Sequence, residues 1–342
     1  MEHPYLCVDE FLTGVVETRA LVTAFEEGVV DALVASSQPV PVDELRPRKL
    51  RDPKGLGLLL DILRANRVVT IDSDGVSLTA SFRNALKFRD LLEVKAEFAL
   101  FFASDWVDRF DLLLGDPAKL MEQSQVMKLF DYAKAFNDTP QNYEHTRRWM
   151  RLTTTLTRYE AEVIAPTLAL DSFREMLDVG GNSGEFALRC CKRAPTLRAT
   201  VFDLPLVCQI GREHVARHEE ADRIQFLNAK SLSDLRPKQY DLVTFKSMLH
   251  DWPNAEAKDW LQSAVECLQP GGTLLIFERV AWNLEARHLG FSMIPILLFH
   301  RFYREATFYE EFLVQQGLTD LECRIVNLDT PFLCLTAKKQ EN

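Results

Sequence analysis

Two polar residues and a glycine pair in the C-terminal half of the chain are of the types that bind and activate small molecules. Asp203 follows a short apolar run, and an ionised carboxylate, which only accepts hydrogen bonds, suits the paired hydroxyls of a ribose. Gly180 and Gly181 let the backbone approach a ligand closely. His250 follows another apolar run, and an imidazole with a reference pKa of ~6.5 accepts a proton at neutral pH. These residues predict a nucleoside site beside a proton acceptor.

The glycine pair and Asp203 belong to one pattern of strand, turn, helix and strand. An apolar run over 176–179 breaks at the glycines, a helical pattern opens near Gly184, and a second apolar run ends at Asp203. Such a unit offers unpaired helix N–H groups and an acid for a ribose diol. The spacing G-G-x-x-G differs from the G-x-G-x-x-G of dinucleotide sites, so NAD fits less well than an adenosine-like ligand. Two alternatives stay open: ordinary glycines after a strand, and Asp203 as the cap of the next helix.

Further strands and helices alternate after Asp203. Strands are predicted at 224–227, 240–245 and 273–277, and helices at 205–218 and 255–268. Strands joined by helices form a parallel sheet covered on both faces, with ligands bound beyond the carboxyl ends of the strands. Apolar runs at 318–326 and 331–337 have a short connection, which predicts an antiparallel end to the sheet.

The N-terminal part predicts three helices followed by a hairpin. Two helices meet near residues 26–28, a third covers 54–66, and a hairpin over 68–78 turns at 72–75. This is the plan of a winged helix. A basic cluster lies where a DNA-reading helix would be, formed by Arg46, Arg48, Lys49, Arg51 and Lys54. A ligand-sensing regulator that binds DNA is therefore an alternative, although prolines interrupt the cluster and the chain is acidic.

The middle of the chain predicts amphipathic helices over 91–107, 118–134 and 143–163. The first is rich in phenylalanine and carries Trp106. A phenylalanine stripe at helical spacing is typical of a core, and a wall of a ligand pocket is the alternative. A domain boundary is expected near 165–171.

The composition predicts a globular protein of two domains that acts on a small molecule. The chain has 342 residues, 47% of them hydrophobic, and its net charge of −10 opposes attraction to nucleic acid or to an anionic membrane. The 7 cysteines form no C-x-x-C pair, which indicates reduced core thiols. Because signal-peptide, membrane-spanning and metal-ligand patterns are missing, we expect a cytoplasmic, metal-independent enzyme.

Four motifs occur in a specific order: D-V-G-G-N-S-G at 178–184, F-D-L-P at 202–205, L-H-D-W-P at 249–253 and P-G-G-T-L-L-I-F-E at 270–278. In this order they resemble the class I S-adenosylmethionine-dependent small-molecule O-methyltransferases of the caffeate, hydroxyindole and bacterial polyketide type. The resemblance is sharp over 176–278 and looser over the N-terminal half.

The resemblance implies an α/β fold with a Rossmann-like methyltransferase sheet, mostly parallel with an antiparallel last strand. It also implies a mainly helical, winged-helix-like N-terminal domain that forms a homodimer. The expected division is a dimerisation domain at 1–90, a helical linker over the acceptor pocket at 91–168, and a catalytic domain at 169–342.

The same resemblance implies how the site works. His250 is expected to take the proton of a phenolic hydroxyl, with Glu278 and Glu305 beside its ring, while S-adenosyl-L-methionine donates a methyl group and leaves as S-adenosyl-L-homocysteine. Contacts to this donor are expected from Gly180, Gly181, Asp203, Leu204, Lys230, Ser231, Lys246, Met150 and Thr154. The pocket for a small aromatic substrate is expected to include Phe102, Trp106, Met293 and Leu297.

One loop departs from the family pattern. The family usually has G-D and a bulky apolar residue where this chain has Ala229-Lys230-Ser231, so a cation replaces the acid that faces the adenine. Asp234 is a candidate substitute for that acid. Asn182 replaces a third glycine, a milder change because asparagine tolerates left-handed backbone. The departure keeps two alternatives open: N- or C-methylation, and a non-methylating activity of the same fold such as hydroxylation.

Overall fold

The computed structural model of the chain describes residues 3–229, 231–235, 240–281 and 289–341. The chain divides into two compact units. The first unit contains the described residues of Met1–Val126 and Leu284–Leu298, and the second those of Met127–Asn283 and Phe299–Asn342. The expected three-part division at residues 90 and 168 stays a prediction.

The first unit begins with the predicted order of three helices and a hairpin. The elements are α1 (Val15–Glu26), α2 (Val29–Ala35), α3 (Pro53–Ala65), β1 (Val69–Asp72) and β2 (Gly75–Leu78). Gly28 separates α1 from α2 with a left-handed φ of 76°. The Asp52 carboxylate caps α3 by accepting from the backbone N–H groups of Lys54 and Gly55. The hairpin strands pair antiparallel, which confirms the sequence prediction.

Further helices of the chain follow the hairpin. They are α4 (Ala80–Ala85), α5 (Arg89–Val107), α6 (Phe110–Gly115), α7 (Pro117–Gln123) and α8 (Gln125–Leu129). The prediction of one amphipathic helix over 118–134 is wrong, because the chain breaks at Ser124. The buried Asp105 carboxylate accepts from the Ser124 hydroxyl at 2.5 Å and from the N–H groups of Gln125 and Val126 at 3.2 and 3.3 Å. The helical periodicity of a sequence does not show that a carboxylate from another helix binds the backbone at this point.

The second unit is built on a 7-stranded sheet. Its strands are β3 (Glu175–Val179), β4 (Arg198–Asp203), β5 (Ile224–Asn228), β6 (Tyr240–Lys246), β7 (Leu268–Arg279), β8 (Leu318–Asn327) and β9 (Pro331–Lys339). They lie in the order β5-β4-β3-β6-β7-β9-β8. The pairs from β5 to β7 are parallel, and β9 runs antiparallel to both β7 and β8. The mostly parallel sheet with an antiparallel last strand is therefore confirmed.

Helices cover both faces of this sheet. The further α-helices of the described residues are α9 (Pro140–Ile164), α10 (Glu185–Arg193), α11 (Pro205–Val215), α12 (Asn254–Cys267), α13 (Ile294–Phe299) and α14 (Ala306–Gln315), and α13 belongs to the first unit up to Leu298. Met176 and Leu177, adjacent on β3, belong to different hydrophobic clusters because successive strand side chains point to opposite faces. One cluster includes residues of α9 and α10, and the other includes residues of α12 and α14.

The cysteines are free thiols, and all except Cys323 on β8 are buried. Across the described ranges, no helix combines the length and the apolar character needed to cross a membrane.

Candidate functional site

The carboxyl ends of the central strands meet at one edge of the sheet. Val179, the last residue of β3, pairs with Phe202 on β4 and with Phe245 on β6. The register therefore brings Gly180, Asp203 and the loop after β6 to the same edge, where ligands of open α/β sheets bind.

The glycine turn after β3 is close-packed. Gly180 has a left-handed φ of 65°, and a Cβ atom on it would lie 2.4 Å from Cγ of Met248. A Cβ atom on Gly181 would lie 2.5 Å from Oδ2 of Asp178. Both positions require glycine, because a side chain would displace the loop after β6 or the strand end beneath the turn.

Asp203 is held by the glycine turn. Its Oδ2 accepts from the backbone N–H of Asn182 and its Oδ1 from that of Leu204, both at 2.7 Å. Burial raises the pKa of Asp203 to about 6, although these two hydrogen bonds lower it. Leu204, not Asp203, is the N-cap residue of α11. Since each carboxylate oxygen has a second lone pair, Asp203 can still accept from two ribose hydroxyls.

A second carboxylate, Asp178, lies beneath the turn and was not predicted as a site residue. The Thr244 hydroxyl donates to Oδ1 at 2.7 Å, while Oδ2 is buried and has no hydrogen-bond partner within the described residues. Burial raises the pKa of Asp178 to about 7, and the charge of Asp203 adds to that effect. The sequence signal that could have indicated this residue is the aspartate of the D-V-G-G motif.

This edge of the sheet fits a cationic nucleoside. Asp203 offers acceptors for the ribose, and the buried Asp178 and Asp203 carboxylates form a negative environment that a sulfonium or ammonium group would stabilise. The residues present are therefore compatible with S-adenosylmethionine, in which both kinds of group occur.

The pair of His250 and Glu278 is the most constrained part of the site. Nδ1 of His250 lies 2.8 Å from Oε2 of Glu278, whose side chain is buried. Oε1 of Glu278 accepts from the backbone N–H groups of Met248 and Leu249 at 2.6 and 2.7 Å. A carboxylate can only accept from Nδ1–H, so the lone pair of the neutral ring is on Nε2.

Charges around His250 favour its protonated form. Burial opposes the charge on the ring, but the Glu278 and Asp251 carboxylates together raise the pKa of His250 above its ordinary value. Oδ1 of Asp251 lies 3.6 Å from Nε2 of His250, and Oδ2 accepts from the Tyr132 hydroxyl at 3.0 Å. Asp251 is thus the second carboxylate beside the ring.

Glu305, which was expected in that position, lies elsewhere. It is exposed and precedes α14 as its N-cap residue, without a side-chain cap hydrogen bond. Among the described residues, the ion pairs of His250 are with Glu278 and Asp251 and not with Glu305.

Two aromatic side chains lie against the His250 ring, and sequence periodicity gave no indication of this arrangement. The ring centroid of His250 lies 5.8 Å from that of Phe299 and 5.4 Å from that of Tyr303. The series continues from Phe299 to Phe130, from Phe130 to Trp149 and from Trp149 to Tyr132, with centroid distances of 5.9, 6.4 and 5.3 Å. The Tyr132 hydroxyl donates to Asp251, which is next to His250 in the chain. The side chains of Phe299, Phe130, Trp149 and Tyr132, with Tyr303, thus form an aromatic cluster beside His250.

Two of the predicted donor contacts, Thr154 on α9 and Lys246 at the end of β6, bind other protein groups. The Thr154 hydroxyl donates to Oγ of Ser183 at 2.8 Å, which ties α9 to the glycine turn. Lys246 donates to the Thr157 hydroxyl at 2.9 Å and pairs with Glu160. Met150 is buried on α9.

The loop after β5 is described only in part. Lys230 lies outside the described residues. Ser231 and Asp234 form a capping box around the turn Leu232–Asp234, in which the Ser231 N–H donates to Oδ2 of Asp234 at 2.9 Å. The Asp234 carboxylate, considered as a substitute for the missing adenine-facing acid, therefore has this structural role.

The predicted pocket residues belong to the first unit. Phe102 is fully buried on α5, and Trp106 packs against Phe110 with a centroid distance of 5.6 Å. Nε1 of Trp106 is buried without a hydrogen-bond partner in the described part of the chain. Met293 and Leu297 are half-buried.

Comparisons with known proteins identify a matching family. Residues 115–319 match the family model described as the O-methyltransferase domain. The acetylserotonin O-methyltransferase of Bos taurus is 24% identical over 329 residues, which cover 94% of each chain. The 3-hydroxy-5-methyl-1-naphthoate 3-O-methyltransferase of Streptomyces sahachiroi is 34% identical over 124 residues, about a third (36%) of each chain.

The fold is also that of solved structures. Human N-acetylserotonin methyltransferase in complex with S-adenosylmethionine superimposes with a TM-score of 0.72 at 19% identity, covering 96% of this chain and 95% of the other. The matched O-methyltransferase domain covers more than half of the chain, and the methyl donor is S-adenosyl-L-methionine. The chain therefore belongs to the family of S-adenosylmethionine-dependent O-methyltransferases.

Proposed function

We propose that this enzyme methylates a phenolic hydroxyl of a small aromatic secondary metabolite, with His250 as the general base. The observation that carries the proposal is the 2.8 Å contact between Nδ1 of His250 and Oε2 of Glu278, which leaves Nε2 as the basic atom. A phenol attacks well only as its proton leaves, so a base held in one tautomer is what the reaction requires.

In the proposed mechanism, S-adenosylmethionine supplies an electrophilic methyl group on a sulfonium. The acceptor hydroxyl lies next to Nε2 of His250, which takes its proton as the phenolic oxygen attacks. Glu278 keeps the ring in place, and Glu278 and Asp251 stabilise the imidazolium that forms. The aromatic cluster beside His250 limits water around the reacting atoms, and the lower water content strengthens these electrostatic effects.

Two observations support an aromatic acceptor. Phe299 and Tyr303 lie against the His250 ring, and aromatic side chains pack well on planar ligands. The relatives named above act, by their names, on acetylserotonin and on a hydroxynaphthoate. The predicted pocket residues Phe102, Trp106, Met293 and Leu297 remain part of this proposal.

For the donor site, we propose that Asp203 binds the ribose and that the turn at Gly180 and Gly181 lies against the donor. Asp178 is added as a source of negative charge beneath that turn. Roles for Leu204, Lys230, Ser231, Lys246, Met150 and Thr154 in donor binding are proposed with them.

A homodimer formed by the first unit is part of the proposal, as is a cytoplasmic location. Several large apolar side chains of this unit are exposed, among them Val107 (81%), Leu114 (68%), Met121 (54%) and Phe110 (49%). These residues are the candidates for the dimer interface, because contiguous exposed apolar patches mark protein interaction sites.

A DNA-binding regulator has weaker support. Arg46, Arg48 and Arg51 of the basic cluster donate to backbone carbonyl groups of their own unit, and these contacts compete with phosphate binding.

The proposal is tested with two hydroxyarenes as probes, N-acetylserotonin and 3-hydroxy-5-methyl-1-naphthoate. The full chain is incubated with methyl-labelled S-adenosylmethionine and each probe, and labelled ether and S-adenosylhomocysteine are measured. We expect turnover of at least one probe and its loss, by ~100-fold or more, in His250→Ala. Donor-product binding without methylation of these or related phenols would favour the alternatives, N- or C-methylation or a non-methylating activity. Retained turnover in His250→Ala would exclude the base role.

A further inference from the structure

Glu160 on α9 is a buried charged residue that the mechanism above does not use. Its side chain is 4% exposed, and its two oxygens bind different cations. Oε1 lies 2.9 Å from Nη2 of Arg279, and Oε2 pairs with Nζ of Lys246. We propose that Glu160 is a positioning residue for the reaction, because it fixes the two strand ends that carry His250 and Glu278. The inference rests on the proposed role of His250 as general base.

The two cations are located directly beside the reacting pair. Lys246 is the last residue of β6 and precedes the turn that contains His250, while Arg279 follows Glu278 at the end of β7. One carboxylate therefore links α9 to both strands. Movement of either strand end would change the contact between His250 and Glu278.

The turn after Lys246 needs such an anchor. Ser247 has a φ of 52°, a left-handed conformation that is unfavourable for serine and persists only where surrounding contacts impose it. On one side Lys246 is held by Glu160 and Thr157. On the other, the N–H groups of Met248 and Leu249 are held by Glu278.

Arg279 is held equally firmly. Nε donates to the Thr330 hydroxyl at 3.2 Å, Nη2 lies 3.4 Å from Oδ1 of Asp329, and the guanidinium lies 4.4 Å above the centre of the Phe332 ring. Glu160 and Asp329 thus balance the charges of Lys246 and Arg279. Without the Glu160 carboxylate, the three remaining charged side chains, Lys246, Arg279 and Asp329, carry one net positive charge close to His250.

That net charge gives the positioning role an electrostatic signature. In the described part of the chain, the titratable and charged groups around His250 are Asp251 in its own turn, Tyr132 bonded to Asp251, Glu278 and Arg279 on β7, Tyr303, and Arg304, which donates to the Leu249 carbonyl. Arg279 already opposes protonation of His250. If Glu160 no longer balances the charges of Lys246 and Arg279, these charges oppose the protonation of His250 further.

The test compares Glu160→Gln with the wild-type chain and with Glu162→Gln. Glu162 is the matched control, because it lies on the same helix, is 56% exposed and pairs with Arg189. The chain is labelled with 15N-histidine, and the His250 signal among the 7 histidines is assigned from its loss in His250→Gln. We expect the His250 titration midpoint to move about 0.5–1 pH unit lower in Glu160→Gln and to stay in place in Glu162→Gln.

Activity towards whichever probe is turned over gives the second readout. In Glu160→Gln we expect kcat to fall ~10–100-fold, with KM for S-adenosylmethionine changed much less, since small misplacements of reacting groups have effects of that size. Glu160→Asp keeps the negative charge but has a shorter side chain. The titration midpoint of His250 should therefore stay closer to its wild-type value, while kcat should still fall. Glu160→Asp also serves as the test if Glu160→Gln does not fold.

The possible failures are distinguishable. An unmoved midpoint in Glu160→Gln, with lower thermal stability as the sole change, would make Glu160 merely structural and overturn the inference. Full turnover in His250→Ala would refute the base role instead.

Discussion

The Glu278 carboxylate contacts His250 and the backbone that carries it at the same time. Oε2 receives Nδ1–H of His250, and Oε1 receives the N–H groups of Met248 and Leu249. One buried side chain thus determines both the ring orientation and the conformation of the turn.

Replacing Glu278 by Gln should lower both the rate and the His250 pKa. The negative charge that stabilises the imidazolium is lost, although one amide oxygen remains as an acceptor. We expect kcat/KM to fall ~10–100-fold and its acidic limb to move to lower pH. A pH–rate profile of each protein is the measurement, and an acidic limb that stays at the wild-type pH would contradict the assignment.

The wild-type pH profile should show an acidic limb above ~6.5, the reference value for histidine. His250 acts as a base only when neutral, and its pKa is raised. Activity should therefore fall as the pH decreases through that raised pKa. The measurement is kcat/KM between pH 5 and 9, with donor binding followed in parallel as the control.

Asp203→Asn should weaken donor binding. The amide replaces one acceptor oxygen by a donor and removes the charge, and charge-assisted hydrogen bonds contribute about 1.5–3 kcal/mol each. We expect Kd for S-adenosylhomocysteine to rise ~10–100-fold by calorimetry. Asp222→Asn, at an exposed aspartate, is the control and should bind as wild type.

Donor affinity should increase with pH between about 5.5 and 7.5. Asp178 and Asp203 have pKa values raised to about 7 and about 6, and only their ionised forms attract a sulfonium. Both donor and product carry the amino-acid part, but only the donor carries the sulfonium. The pH dependence should accordingly be steeper for S-adenosylmethionine than for S-adenosylhomocysteine, and equal slopes would argue against this source of attraction.

Gly181→Ala should destabilise the chain and weaken donor binding, because the new Cβ atom would lie 2.5 Å from the buried Oδ2 of Asp178. Gly57→Ala on α3 is the matched control. Its Cβ atom would meet no atom within 4 Å, and alanine is favoured over glycine in a helix by roughly 0.5–1 kcal/mol. Thermal unfolding should show a lower Tm for the first variant and an equal or higher Tm for the second.

The sequence alone was sufficient for the order of the sheet strands and for the positions of their ends. Alternation of apolar strands with amphipathic helices is a local property, and it located Gly180, Asp203 and His250 at the ends of β3, β4 and β6 before any contact was known. Glu278 was expected beside His250 from the family resemblance, and it lies at the end of the next parallel strand, β7.

Only the tertiary structure decided which groups these residues meet. Periodicity could not show that Asp251 rather than Glu305 lies near Nε2 of His250, that Glu160 holds Lys246, or that Asp105 interrupts a helix at Ser124. Each of these contacts joins side chains far apart in the chain or depends on side-chain direction. Such contacts are set by the packing of helices on the sheet, which a local pattern does not contain.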